Sequence, residues 1–140
     1  MLGEPGHGYR ARVNPAAEGT TYPDMPFIVT PERVAGFRDV FGLAQGVAPT
    51  LLTAAEFTVL PTIVADPRLD VDFTRVVHGS QEYAFARAPR EGERLTIKAR
   101  LESVRVRADT GFVTITIDLV DEAGEHVATC RSSMVERGDV

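Results

Sequence analysis

Near residue 75 the hydrophobic period of this chain changes from about 3.6 residues to about 2, and that change constrains the fold more than any other feature. Before it, Val34, Phe37, Val40 and Phe41 recur at helical spacing, with Arg33, Arg38 and Asp39 between them. Thr30-Pro31 supplies an N-cap and a first-turn proline, and Gly42 supplies a stop. A second helix is predicted from about Thr50 to Leu60, ended or kinked by Pro61. Leu51, Leu52, Ala54, Ala55, Phe57, Val59 and Leu60 point almost all round it, which marks a buried helix with Leu52 and Phe57 in the core.

After the change the chain reads as strands. Gln81 to Arg87 alternates, and Pro89-Arg90-Glu91-Gly92 turns. Leu95, Ile97, Ala99 and Leu101 then alternate with polar residues. The apolar set shifts to Val104 and Val106, the one-residue slip of a β-bulge. Ala108-Asp109-Thr110-Gly111 and Asp121-Glu122-Ala123-Gly124 separate two further strands, the last at Val127 to Val135. With the short β-rich run Pro26 to Val29 at the front, the order is strand, helix, buried helix, then about four long antiparallel strands. Helices followed by a run of strands argue α+β, and a curved sheet around the apolar helix is the simplest way to bury both.

A length of 140 residues is enough for one domain. Residues 1–21, rich in Gly and Pro, read as a flexible leader or a tail that docks on a partner, and residues 22–140 as a single domain. The 15 basic and 20 acidic residues leave a net charge of −5, the wrong sign for a nucleic-acid binder. No apolar run reaches membrane-span length and no signal peptide is visible, so the expected location is the cytoplasm. A lone cysteine, Cys130, builds neither a disulfide nor a Cys-rich metal site. It reads as a small buried residue.

The order and spacing of several short runs carry a resemblance. They are Gly19-Thr20-Thr21-Tyr22-Pro23, Val47-Ala48-Pro49-Thr50, Val76-Val77-His78-Gly79-Ser80-Gln81, Arg87-Ala88-Pro89-Arg90-Glu91-Gly92-Glu93-Arg94-Leu95 and Asp121 to Glu125. Over about residues 19–137 the chain resembles the MaoC-like hotdog family, in particular the N-terminal-type half of (3R)-hydroxyacyl-thioester dehydratases. The resemblance implies a hotdog fold, an acyl thioester of coenzyme A or a carrier protein as ligand, no cofactor, and a homodimer or a heterodimer with a second hotdog chain. Active relatives carry a run like Gly-Asp-x-Asn-Pro-x-His just ahead of the central helix. Here Gly42 to Pro49 holds no Asp, His or Asn-Pro, so no catalytic pair carries over.

The first N–H groups of the central helix, near Thr50 and Leu51, are candidate substrate-binding donors, because unpaired N–H groups and the helix dipole favour a thioester carbonyl gaining negative charge. An ordinary capped helix is the alternative. His78 is a structural histidine at a strand start or a catalytic one. Glu56, the one carboxylate within the apolar helix, meets solvent or an arginine across a dimer interface, or acts as the base of a hotdog thioesterase. Tyr83, Phe85 and Arg87 read as alternating strand residues. Lys98, Arg100, Arg105 and Arg107 read as a solvated face or a dock for an acidic carrier protein. The leading expectation is a dehydratase or enoyl-hydratase subunit that depends on a second chain for its acid–base pair. The alternatives are a thioesterase using Glu56 and a non-catalytic acyl-binding homodimer.

Overall fold

Five antiparallel strands form one sheet in the computed structural model, which describes residues 8–41 and 49–138. In chain order the elements are β1 (Met25–Ile28), α1 (Pro31–Phe41), α2 (Thr53–Val64), β2 (Val76–Phe85), β3 (Arg94–Arg107), β4 (Thr110–Val120) and β5 (His126–Glu136). The sheet order is β1-β3-β4-β5-β2. Strands β3, β4 and β5 form a meander of adjacent hairpins, whereas β2 crosses over to pair with β5 at the far edge. The expected α+β class and the hotdog arrangement of sheet and central helix are both present.

The strands form where the period predicts them. Leu95, Ile97, Ala99 and Leu101 are buried on one face of β3. The register against β4 then shifts between Leu101 and Ser103, and burial resumes at Val104. This is the expected bulge. On β4, Val113, Ile115, Ile117 and Leu119 continue the same apolar face. Strand β2 begins at Val76, ahead of the alternation that starts at Gln81, and its register against β5 shifts between His78 and Ser80.

Three expectations are corrected. The central helix does not stop at Pro61 but runs to Val64 with Pro61 inside it. Proline there removes only the bond to the Phe57 carbonyl, while full burial of Ile63 one turn from Val59 holds the helix on the sheet. Nor is the helix buried all round. Ala55, Val59 and Ile63 face the core, but Phe57 is 65% exposed, because a single sheet covers only one side of it. Leu52 is fully buried as expected, in a 3-10 turn (Pro49–Leu52) that leads into α2.

The third correction is the leader. Over residues 8–21 it packs on the sheet. Asn14 caps a 3-10 turn (Pro15–Ala17) by accepting from the Ala16 N–H at 3.0 Å, and Val13 and Ala17 are buried. Thr21 bridges to Arg100 on β3. The carboxylate of Glu136, at the end of β5, accepts the backbone N–H groups of Arg12, of Val13 (3.1 Å) and of Asp72. One buried carboxylate thus ties the leader, the α2–β2 connector and the last strand together. The sequence shows no pattern for this, because the three segments lie far apart along the chain. The predicted helix stop at Gly42 and the connector as far as Ala48 lie outside the described residues.

Candidate functional site

A cavity of about 250 Å³ lies between α2 and the sheet. Along α2, Glu56, Val59, Leu60 and Ile63 line it, the spacing of a single helical stripe. Ile115 and Ile117 of β4 and Met134 of β5 form its apolar floor. Phe57 and Phe73, 65% and 51% exposed, also border it, so hydrophobic surface continues outward from the cavity.

The polar groups come from α2, β2 and β5. Thr53 and Glu56 face His78, Gln81 and Ser132 across the cavity. His78 and Gln81 are three residues apart, and in a regular strand they would point to opposite faces. The irregularity at Gly79 corrects the phase. A Cβ there would sit 3.1 Å from the Ser133 hydroxyl oxygen and 3.3 Å from its carbonyl oxygen. His78 Nε2 lies 3.1 Å from the Ser132 hydroxyl. The Thr53 and Tyr83 hydroxyls hydrogen-bond to each other, joining α2 to β2.

Glu56 is half-buried, and its Oε1 is hidden from water with no hydrogen-bond partner among the described residues. Burial pushes its carboxyl above the usual carboxylate range, while the Gln81 and Tyr83 side chains and the nearby His78 pull the other way. Burial also raises the Tyr83 phenol. The Cys130 thiol is pushed up to about 12, first by burial and then by the charges of Glu56 and Asp118. Among the described residues no group of three or more His, Cys, Asp or Glu is placed to hold a metal ion.

The two sequence candidates for chemistry, Glu56 and His78, are therefore brought to one cavity. The FAS1-like dehydratase-domain-region family model matches residues 16–130. The chain belongs to that family. A UPF0336 protein of Streptomyces avermitilis is 35% identical over 130 residues, spanning 91% of this chain and 83% of the relative. One similar solved structure is the C-terminally truncated HadBC (3R-hydroxyacyl-ACP dehydratase) complex of Mycobacterium tuberculosis. Its TM-score is 0.73 at 19% identity, covering 85% of this chain and 96% of that one. The R-hydratase PhaJ1 of Pseudomonas aeruginosa matches at TM-score 0.62 and 13% identity, covering 84% and 79%. These two likenesses show that this member of the FAS1-like dehydratase-region family has the hotdog fold.

The remaining candidates of this dehydratase-family chain are placed as follows. Thr50 and Leu51 lie in the 3-10 turn before α2 rather than in its first turn, and Leu51 is buried in the core. The basic residues are largely paired: Lys98 with Asp24 at 2.8 Å and Arg100 with Asp118 at 3.1 Å, while Arg105 donates to the Ser103 hydroxyl. Arg87 forms a forked pair with Glu93 (2.7 Å) and reaches Asp121 (3.2 Å), locking the β2–β3 turn to the β4–β5 turn. Tyr83 and Phe85 stack at 6.2 Å between ring centroids. Thr53, Gln81 and Ser132 are site residues that the sequence reading missed. The glycine inside the strand pattern at Gly79 is the signal that would have put Gln81 beside His78.

Proposed function

We propose that this chain is the acyl-binding subunit of a (3R)-hydroxyacyl-thioester dehydratase, and that a second hotdog chain supplies the acid–base pair. The observation that carries this is an apolar cavity beneath the central helix in a chain with no Asp or His between residues 42 and 52. Eliminating water from a 3-hydroxyacyl thioester needs a base for the α-proton and an acid for the departing hydroxyl. In this chain His78 contacts a serine hydroxyl and Glu56 is partly buried, so neither is set up as the Asp–His pair of active relatives. The cavity takes the hydrocarbon chain, and the chemistry falls to the partner.

The face available to such a partner is the β2 edge. Val77 and Phe85 on β2 are exposed, as are Phe57 and Phe73 beside the cavity. An unpaired strand edge flanked by apolar side chains favours association. The HadBC structure, by its own description, is a complex. The dimer proposed here, with itself or with a second hotdog chain, is checked by light scattering at micromolar concentration. A monomer in both cases rules it out.

The activity test follows the absorbance of an enoyl-coenzyme A. The chain alone is expected to give no appreciable hydration, since loss of general acid–base chemistry removes factors of about 10² to 10⁴. Adding a hotdog chain that carries the Gly-Asp-x-Asn-Pro-x-His run is expected to give turnover above that of the catalytic chain alone. Robust turnover by this chain alone, abolished in His78→Ala, would refute the divided-labour reading.

A further inference from the structure

Glu56 interrupts an otherwise apolar stripe. Along α2 the residues that follow it on the cavity side are Val59, Leu60 and Ile63, and Ile115, Ile117 and Met134 face them from the sheet. A surface of this kind takes hydrocarbon. At its polar end, close to the start of the helix, Glu56 is set opposite Gln81 and His78. The nearby hydroxyls are already engaged, Thr53 with Tyr83 and Ser132 with His78. Glu56 Oε1 has no partner among the described residues and no access to water. A purely hydrocarbon ligand would bury the carboxyl further and leave that oxygen unsatisfied, whereas a ligand oxygen at the same end would relieve it.

We propose that Glu56, with Gln81 beside it, is the specificity-determining group of this cavity, and that it recognises the 3-hydroxyl of an acyl thioester. The inference rests on the acyl-binding reading above, in which the one polar group along an acyl chain lying in this cavity is its 3-hydroxyl. A hydroxyl suits the site better than a cation does. The unpartnered carboxyl oxygen accepts, and the Gln81 amide beside it both donates and accepts. A hydroxyl also does both, whereas a cation would find a single carboxylate, Glu56 itself, among the lining residues and a histidine opposite it. Sites built around one hydroxyl reject the analogue that lacks it, because their own polar group is then left unpaired.

The test measures binding of 3-hydroxydecanoyl-coenzyme A and of decanoyl-coenzyme A to the full chain by calorimetry, for the wild type, Glu56→Gln and Glu56→Leu. Circular dichroism checks that each variant is folded. The wild type is expected to bind the hydroxylated thioester about tenfold more tightly, the worth of one hydrogen bond. Glu56→Gln keeps a donor and an acceptor and should retain most of that preference. Glu56→Leu should abolish it by weakening only the hydroxylated ligand, with decanoyl-coenzyme A bound equally or better. No preference in the wild type, or an unchanged preference in Glu56→Leu, overturns the role of Glu56 and leaves the acyl-binding reading standing. Failure of the wild type to bind either thioester overturns both.

Discussion

Replacing Glu136 by alanine tests whether one buried carboxylate holds three segments of the chain. Its side chain is 1% exposed and receives three backbone N–H groups, from Arg12, Val13 and Asp72. A hydrogen bond to a charged group contributes about 1.5–3 kcal/mol net. Three of these do not add in full, because the carboxylate is itself desolvated and water can reach the part-buried N–H groups of Arg12 and Asp72 once the side chain is gone. Val13 is buried, and its N–H would be left unpaired. We expect Glu136→Ala to cost about 3–5 kcal/mol, a large share of the roughly 5–15 kcal/mol by which a domain is stable. Glu136→Gln keeps one acceptor oxygen but turns an amide against a backbone donor, and should cost about half as much. Urea unfolding followed by circular dichroism measures both. Hydrogen exchange adds a local readout: the amides of Arg12, Val13 and Asp72 should lose protection together in Glu136→Ala. A loss below about 1 kcal/mol, or exchange that changes at only one of the three amides, would refute the idea of a shared anchor.

Leu52→Ala should cost about 2–5 kcal/mol by urea unfolding, whereas Phe57→Ala, on the exposed face of α2, should change stability by less than about 0.5 kcal/mol. Ala108 holds φ at 52° in the β3–β4 turn, a region that costs a side chain energy, so Ala108→Gly should raise stability by about 0.5–1 kcal/mol. The pH dependence should have two opposed parts. Asp121 is depressed by the Glu125 backbone N–H and then by Arg87, so its contribution is present above the ordinary aspartate pKa and lost as pH falls through the lowered value. Glu56 is raised, so stability declines as pH rises from its ordinary pKa through the raised one. Glu56→Gln should flatten that decline in a series of urea midpoints, and Asp121→Asn should flatten the acid limb. Cys130, buried and with its thiol pushed up to about 12, should react with a thiol reagent at pH 8 only as fast as the chain unfolds.

The strands and their faces were legible because a half-buried strand writes its burial into alternate residues, and even the β3 bulge appeared as a phase slip from Leu101 to Val104. The residues carrying the MaoC-like resemblance were legible too, and the fold they imply is the one found. The two faces of α2 were not. Phe57 and Leu52 are equally apolar in the sequence, and only the sheet's position decides which is covered. The docked leader was missed because its hold on the fold is a hydrogen-bonded carboxylate more than a hundred residues away, and polar contacts of that kind leave no periodic trace. The site was half legible. Chemistry-bearing residues such as Glu56 and His78 stand out singly, but Gln81 joins them only through the shifted register at Gly79.

The crossover of β2 has a consequence for the order in which the molecule assembles. Strands β3, β4 and β5 join through short turns, so their contacts close small loops and form early. Strand β2 must wait for β5, some fifty residues later in the sequence, before it can dock. The strand that carries His78 and Gln81 is therefore the last wall of the cavity to be raised. As an edge strand with one paired side, it can also come away while the meander stays folded. Transient release of β2 would open the cavity on the side of His78 and Gln81 without exposing the core beneath β3 and β4. A partner strand added to its free edge would close that breathing and so govern when the chamber fills or empties.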